Sequence, residues 1–355
     1  MTVMTDIQPG NRAAATEKPL RVLFISSQWP TPERPEIAPF VPREVNSLRE
    51  VGVQVDVLPY RGGFSVGNYL RAIREMRRML RENEYDLIHV YFGQCGVVGR
   101  MQRKLPVVIT YGGSDVEGTP LFGGLQQWKN VLVVGTSRLM SLLADEVIVV
   151  SANLGRKLPR KDYHIITIVL ELEKFKPGDM MEARRKLGLP LDKKLALFCS
   201  SSLTNARKRY WLAQAATEIA ARSVDVELVA AAGRPPEEIP LFMQACDTLL
   251  LTSTNEGSPN VVREALACNL PVVSTDCGDV RERLGHIPGC AVADDDRPET
   301  IAEALVKVLQ HPANNPRNEK LREEVINQNP QVLGRKVVEV YRKALGEQQG
   351  VSPPH

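Results

Sequence analysis

Residues 249–279 read LLLTSTNEGSPNVVREALACNLPVVSTDCGD. A short apolar run ending near Thr252 has the length and composition of a buried strand, and Glu256 and Gly257 follow as a loop. Ser258 is a preferred N-cap residue and Pro259 suits the first position of a helix, which Asn269 and Pro271 then end. Residues 271–275 read as the next strand. Strand, helix, strand in so short a span is the unit of a parallel α/β sheet.

The rhythm extends outward from this unit. In the same half, strands are expected at 195–199, 226–231, 248–252, 271–275 and 290–293, and amphipathic helices at 298–310, 318–327 and 335–345. In the first half they are expected at 21–26, 53–58, 87–91, 107–110 and 146–150, with Val41, Val45 and Leu48 on one helical face. Residues 165–179 end in Lys176-Pro177-Gly178-Asp179, which stops regular structure and marks a domain boundary. The expected fold is therefore α/β, two Rossmann-like domains facing each other across a cleft. A polar tail over 1–18 precedes the first domain at 19–166, and the second spans 172–333.

Bulk properties remove several function classes. The 355 residues are 43% hydrophobic and 25% charged, as in a folded globular protein. Lys and Arg total 45 against 42 Asp and Glu, and a net charge of +3 gives no basic footprint for nucleic acid. The apolar runs are too short to span a bilayer, and residues 1–18 lack the apolar core of a secretory signal, so a cytoplasmic protein is expected. Six cysteines without a Cys-x-x-Cys spacing read as buried thiols. Neither Gly-x-Gly-x-x-Gly nor Gly-x-x-x-x-Gly-Lys occurs, so a nucleotide site has to be built from other parts.

Two segments carry candidate chemistry. The helix expected to open at Pro259 would present free backbone N–H groups and its positive dipole end at the carboxyl end of a strand, a ready phosphate site. Glu264, one turn and a half into that helix, leans back toward its start, and Glu256 approaches from the loop. Two acceptor-only carboxylates beside an anion site suit the hydroxyls and diphosphate of a sugar nucleotide. The plain alternative is a capped surface helix with an acidic loop. The second segment is Arg207-Lys208-Arg209, cations placed ahead of a helix whose apolar side is read as Trp211, Ala215 and Ile219. Without an anion they oppose its dipole, and a solvated basic turn is the alternative. Asp294, Asp295 and Asp296 read as a solvated loop and not as a metal-binding Asp-x-Asp, and His89, inside a strand, reads as a core residue. No metal site is expected.

These residues resemble a known family. The two glutamates at their spacing, EGSPNVVREA (256–265), LPVVSTDCGDVRE (270–282) and the Arg207-Lys208 pair are similar to retaining glycosyltransferases of family 4, group 1, which have the GT-B fold. TPERPEIAPFVPREVNSLREVG, YDLIHVYFG, VVITYGGSD and ADEVIVVS in the first half fit more loosely. The resemblance implies a retaining, metal-independent transfer of a hexosyl group from a nucleoside-diphosphate sugar to an acceptor hydroxyl. It implies that Glu256 holds sugar hydroxyls, that the backbone of Gly257, Ser258, Pro259, Asn260 and Val261 meets the diphosphate, and that Glu264 binds the ribose. Lys208, with Arg207, would neutralise the leaving phosphate, and the base would lie near Gly233 and Arg234. Gly113, Ser114 and Asp115 would serve the acceptor side, and the helix at 335–345 would cross back to the first domain. Cell-surface polysaccharide or glycolipid assembly is the implied setting.

This chain departs from the family pattern at three places. Ser201-Ser202 stands for Gly-Arg, residues 167–171 read TIVLE where Pro-Asn-Gly-Val-Asp is common, and Gly112 stands for a frequent histidine. A sugar-nucleotide epimerase or a non-catalytic sugar-nucleotide-binding protein of the same fold are the alternatives. The acceptor is expected to be a sugar or a lipid-linked molecule. In the helix expected over 69–81, Tyr69, Ile73, Met76 and Leu80 share one face while Arg71, Arg74, Arg78 and Arg81 line the other. That helix either covers the sheet with a solvated basic side or touches an anionic membrane peripherally.

Overall fold

The structure, a computed structural model, describes residues 18–34, 37–62, 65–118, 125–314 and 317–347. The expected tail over 1–18 lies outside them, apart from Lys18. The first domain runs β1 (Arg21–Ser26), α1 (Phe40–Glu50), β2 (Gln54–Pro59), α2 (Val66–Glu82), β3 (Leu87–Tyr91), α3 (Gly96–Gly99), β4 (Val107–Tyr111), α4 (Ser114–Glu117), α5 (Leu125–Leu143), β5 (Glu146–Val149), α6 (Ala152–Arg156) and β6 (His164–Ile165). Its strands form one parallel sheet in the order β2-β1-β3-β4-β5-β6. The two-residue strand β6 is too short for a sequence signal.

The second domain runs α7 (Met180–Leu187), β7 (Lys194–Ser200), α8 (Tyr210–Ala220), β8 (Val226–Ala232), α9 (Ile239–Ala245), β9 (Thr248–Leu251), α10 (Asn260–Ala267), β10 (Val272–Ser274), α11 (Val280–Leu284), β11 (Ala291–Val292) and α12 (Pro298–Leu309). Its sheet is also parallel, in the order β11-β10-β9-β7-β8. Both sheets are doubly covered, which is why β3 and β4 are buried at every position and read as near-continuous apolar runs, interrupted only by His89 and Thr110, which bond to each other.

The last helix, α13 (Pro330–Ala344), packs on α1, and its Leu333, Val337, Val340 and Tyr341 join the core of the first domain. On α1 the buried positions include Val41, Val45 and Leu48, one face at helical spacing. Because β1 to β2 steps one way along the sheet and the later crossovers step the other, right-handed connections put α1 and α2 on opposite faces. Helix α3 packs against both α2 and α5.

Three local expectations are corrected. Residues 318–327 do not form an α-helix; they make two short 3-10 turns, 321–324 and 326–328, because Arg322 turns inward to the carbonyls of Leu172, Phe175 and Ala267. Helix α8 buries Leu212, Ala213, Ala216 and Ala220, whereas Trp211 is exposed. The apolar side read from Trp211, Ala215 and Ile219 was therefore rotated by one position. Helix α10 starts at Asn260, with Pro259 at its N-cap and no side-chain cap, because the Ser258 hydroxyl donates to Asp279 Oδ2 at 2.8 Å.

Candidate active site

The loop after β7 and the loop after β9 leave neighbouring strands at their carboxyl ends, and hydrogen bonds lace them together. Thr254 N–H donates to Arg207 O at 2.9 Å, and Thr252 Oγ1 donates to Lys208 O at 2.8 Å. Arg209, in a left-handed conformation with φ 52°, donates to Thr252 O, Ser253 O and Asp296 Oδ2. Arg209 is thus a structural clamp, and it leaves Arg207 and Lys208 on the inner side. Lys208 Nζ lies 2.6 Å from Glu256 Oε1, Ser253 Oγ donates to that oxygen at 3.0 Å, and Arg207 Nη1 stands 3.6 Å from Glu256 Oε2. Two cations therefore converge on one nearly buried carboxylate.

The peptide that follows is flanked by glycines. A Cβ on Gly278, where φ is 62°, would fall 2.6 Å from Glu256 O. On the other side a Cβ on Gly257 would fall 2.9 Å from Gly113 Cα of the first domain. Neither approach leaves room for a side chain. Ser151 Oγ donates to Gly257 O at 3.1 Å and Asn153 Nδ2 to Gly278 O at 3.3 Å, so the start of α6 in the first domain holds the loops after β9 and β10 directly.

Asp115 explains how Gly113 reaches that position. Its buried carboxylate accepts from the backbone N–H groups of Gly93 at 2.9 Å, Gly113 at 2.8 Å and Gly112 at 3.2 Å. Burial raises its pKa and these N–H bonds oppose the rise. Asp115 and Gly113 shape the cleft, and Ser114 opens the short α4 beside them.

Glu264 on α10 turns to a different partner. Arg43, from α1 of the first domain, places Nη1 3.7 Å from Glu264 Oε1 and Nε 2.8 Å from Glu171 Oε2 in the interdomain segment. Burial pushes the Glu264 carboxyl above its ordinary range, and Arg43 is the largest force pulling it back. The Cys199 thiol at the end of β7, raised to about 12 by burial, feels both Glu264 and Lys208. The two glutamates thus face one region but bind separate cations. Sequence reasoning missed Arg43, which lies some 220 residues from Glu264 and carries no motif.

The remaining candidates have plain positions. Arg263, fully buried on α10, donates to Ile168 O, Gln328 and Asn260, fixing the altered interdomain segment. Asn260 is held by that arginine, and Val262 N–H returns to Pro259 O. Val261 is half-buried and packs on the core of the second domain. Arg234, exposed after β8, pairs with Glu238 at 3.9 Å and lies over the Phe242 ring. Asp294, Asp295 and Asp296 face Arg281, Arg297 and Arg209 respectively. His89 is a core residue, bonded to Tyr341 and Thr110 and held at a pKa of about 3 by burial.

Two parallel-sheet α/β domains meeting at the carboxyl ends of their strands, with basic and acidic groups at the junction, define the GT-B class. Two family models match the chain: Glycosyltransferase Family 4 over residues 14–167 and Glycosyl transferases group 1 over residues 204–311. The chain belongs to the group 1 glycosyltransferases. A Bacillus subtilis (strain 168) protein called a teichuronic acid biosynthesis glycosyltransferase, TuaC, is 29% identical over 56% of this chain and 55% of its own length. A D-inositol 3-phosphate glycosyltransferase of Mycolicibacterium paratuberculosis (strain ATCC BAA-968 / K-10) is 28% identical over 64% of this chain and 60% of its own. The chain thus spans a little over half the length of these two relatives. In fold it matches sucrose-phosphate synthase from Thermosynechococcus elongatus with a TM-score of 0.73 at 16% identity, over 93% of this chain and 100% of that one. Anabaena HepE, solved with UDP and glucose, matches with a TM-score of 0.67 at 15% identity, over 91% and 100%.

Proposed function

We propose that the protein is a retaining glycosyltransferase that takes a hexosyl group from a nucleoside-diphosphate sugar and gives it to an acceptor hydroxyl. The observation that carries this reading is the convergence of Lys208 and Arg207 on Glu256 beside the glycine-lined Gly257 peptide, at the face where the two domains meet. In the reaction the bond from the anomeric carbon to the β-phosphate breaks and the bond to the acceptor oxygen forms on the same face. Negative charge grows on the departing phosphate, which takes up the acceptor proton.

Lys208, Arg207 and the N–H groups that open α10 are placed to meet that charge. Before the diphosphate binds, Glu256 keeps the two cations together. On binding, the cations turn to phosphate and the Glu256 carboxylate becomes free to accept from sugar hydroxyls. Glu264 takes the ribose hydroxyls. The reaction needs no metal, because cations and backbone dipoles carry the leaving group's charge.

The names of the relatives, together with HepE's complexes with UDP and UDP-glucose, favour a uridine-type donor and a polysaccharide or inositol-phosphate acceptor. Cytoplasmic assembly of a cell-surface glycan or glycolipid fits both. Incubation with a panel of labelled sugar nucleotides, with and without acceptors, tests the reading. Transfer that requires an acceptor and keeps the anomeric configuration supports it. Conversion of the sugar nucleotide without acceptor would mean an epimerase, and binding without turnover a non-catalytic protein.

A further inference from the structure

Helix α5 exposes an apolar stripe. Trp128, Val131, Leu132, Leu139, Leu142 and Leu143 are each at least 50% exposed. At about 100° per residue they fall within one third of the helix circumference. Among the described side chains of α5 none on this stripe is charged, and Arg138 turns away to donate to Val116 O. A water-soluble surface rarely keeps so continuous an apolar strip without something that covers it.

The neighbouring helix carries the complementary chemistry. On α2, Arg74, Arg77 and Arg81 are exposed on one side, behind Val66 at 72% and Leu70 at 48% exposure. Among the described residues no carboxylate pairs with these three arginines; Glu75 and Glu82 hold Arg78 instead. Arg77 donates to the carbonyl of the exposed Met101, just past α3, and α3 packs against both α2 and α5. Lys104 is exposed on the same connection. Basic α2 and apolar α5 therefore lie on one face of the first sheet.

We infer that this face docks on an anionic lipid bilayer, with the α5 stripe sunk into the boundary between headgroups and acyl chains and the α2 arginines against the headgroups. A second copy pairing stripe to stripe would cover the apolar residues, but the described stripe side chains carry no charge to answer Arg74, Arg77 and Arg81. An anionic bilayer answers both needs, apolar burial and electrostatic attraction. The attraction acts within a Debye length of about 8–10 Å, so salt weakens it. No residue of this face belongs to the proposed donor site, so the docking stands or falls apart from the transferase reading.

The test uses the full chain and phosphatidylcholine vesicles with or without phosphatidylglycerol. A Trp29→Phe, Trp211→Phe variant leaves Trp128 as the sole reporter. Expected are sedimentation with the anionic vesicles at low salt, a blue shift of Trp128 emission, and quenching by brominated acyl chains. Leu132→Asp with Leu139→Asp, and separately Arg74→Glu with Arg81→Glu, should each cut the bound fraction roughly tenfold or more without changing thermal melting. No sedimentation of the native chain would overturn the inference, as would binding that ignores the Asp substitutions. A concentration-dependent dimer, abolished by those substitutions and indifferent to vesicles, would assign the stripe to a second copy instead.

Discussion

Gly113 of the first domain and Gly257 of the second meet backbone to backbone, so closely that a Cβ on Gly257 would stand 2.9 Å from Gly113 Cα and 3.0 Å from Gly112 O. The contact brings the loop after β4 onto the loop that follows Glu256, backbone against backbone across the two domains. Gly257→Ala is expected to hold the domains apart. Turnover should fall about tenfold or more while the affinity for a nucleoside diphosphate changes little, since closure and not donor binding is impaired. Small-angle scattering with donor present should give a larger radius of gyration for the variant than for the native chain. Equal compaction and equal turnover would show that the glycine contact is dispensable.

Arg43 links α1 to Glu264 and Glu171, so it joins the first domain to α10 and to the interdomain segment. Burial already raises the Glu264 carboxyl and Arg43 restrains it. Removing Arg43 therefore raises it further. A ribose hydroxyl donates best to the ionised carboxylate, so donor affinity in Arg43→Gln should be lost at a higher pH than in the native chain as pH falls. Calorimetric titration across a pH series reads this directly. An unshifted midpoint would detach Arg43 from donor binding.

Glu44 is buried on α1, and desolvation raises its pKa to about 8, with the nearby Tyr91 hydroxyl opposing the rise only in part. The folded state keeps a proton there that the unfolded state releases near 4.5. The unfolded state thus binds fewer protons between those values, and this group's contribution makes stability fall as pH rises from about 4.5 to 8. Glu44→Gln should remove that part of the slope, so the variant gains on the native chain in melting temperature from pH 5 to pH 9. A parallel pair of curves would contradict the assignment.

Much of the fold was legible because its cause is local. The run at 21–26 and that at 87–91 are strands at those positions, since burial on both faces of a parallel sheet favours near-continuous apolar stretches. The meeting of Lys208 with Glu256 beside Gly257 was legible, because loop, glycine and cation keep a fixed order along the chain. What escaped was tertiary. Ser258 looks like an N-cap until Asp279, 21 residues on, takes its hydroxyl. Residues 318–327 look helical until Arg322 finds the carbonyls of Leu172 and Phe175. Arg43 has no local signal, and the apolar stripe on α5 shows itself only through its exposure.

Activity should survive exhaustive chelation. Asp296 is engaged by Arg209, Asp295 by Arg297, and Asp294 lies nearest Arg281, so the acidic run is spent on arginines. Loss of transfer on chelation, restored by Mn²⁺ or Mg²⁺, would replace the cation-based account with a metal-assisted one.

A nucleoside diphosphate is expected to bind where Lys208 and Arg207 meet Glu256. Calorimetric titration of UDP, GDP, ADP and CDP into the native chain and into Lys208→Ala measures this. One of the four, with UDP the first expectation, should bind the native chain with a single site and lose roughly tenfold or more in affinity on the substitution, the worth of a charge-assisted contact in a partly buried site. Failure of all four to bind, or equal affinity in the native chain and Lys208→Ala, would contradict it.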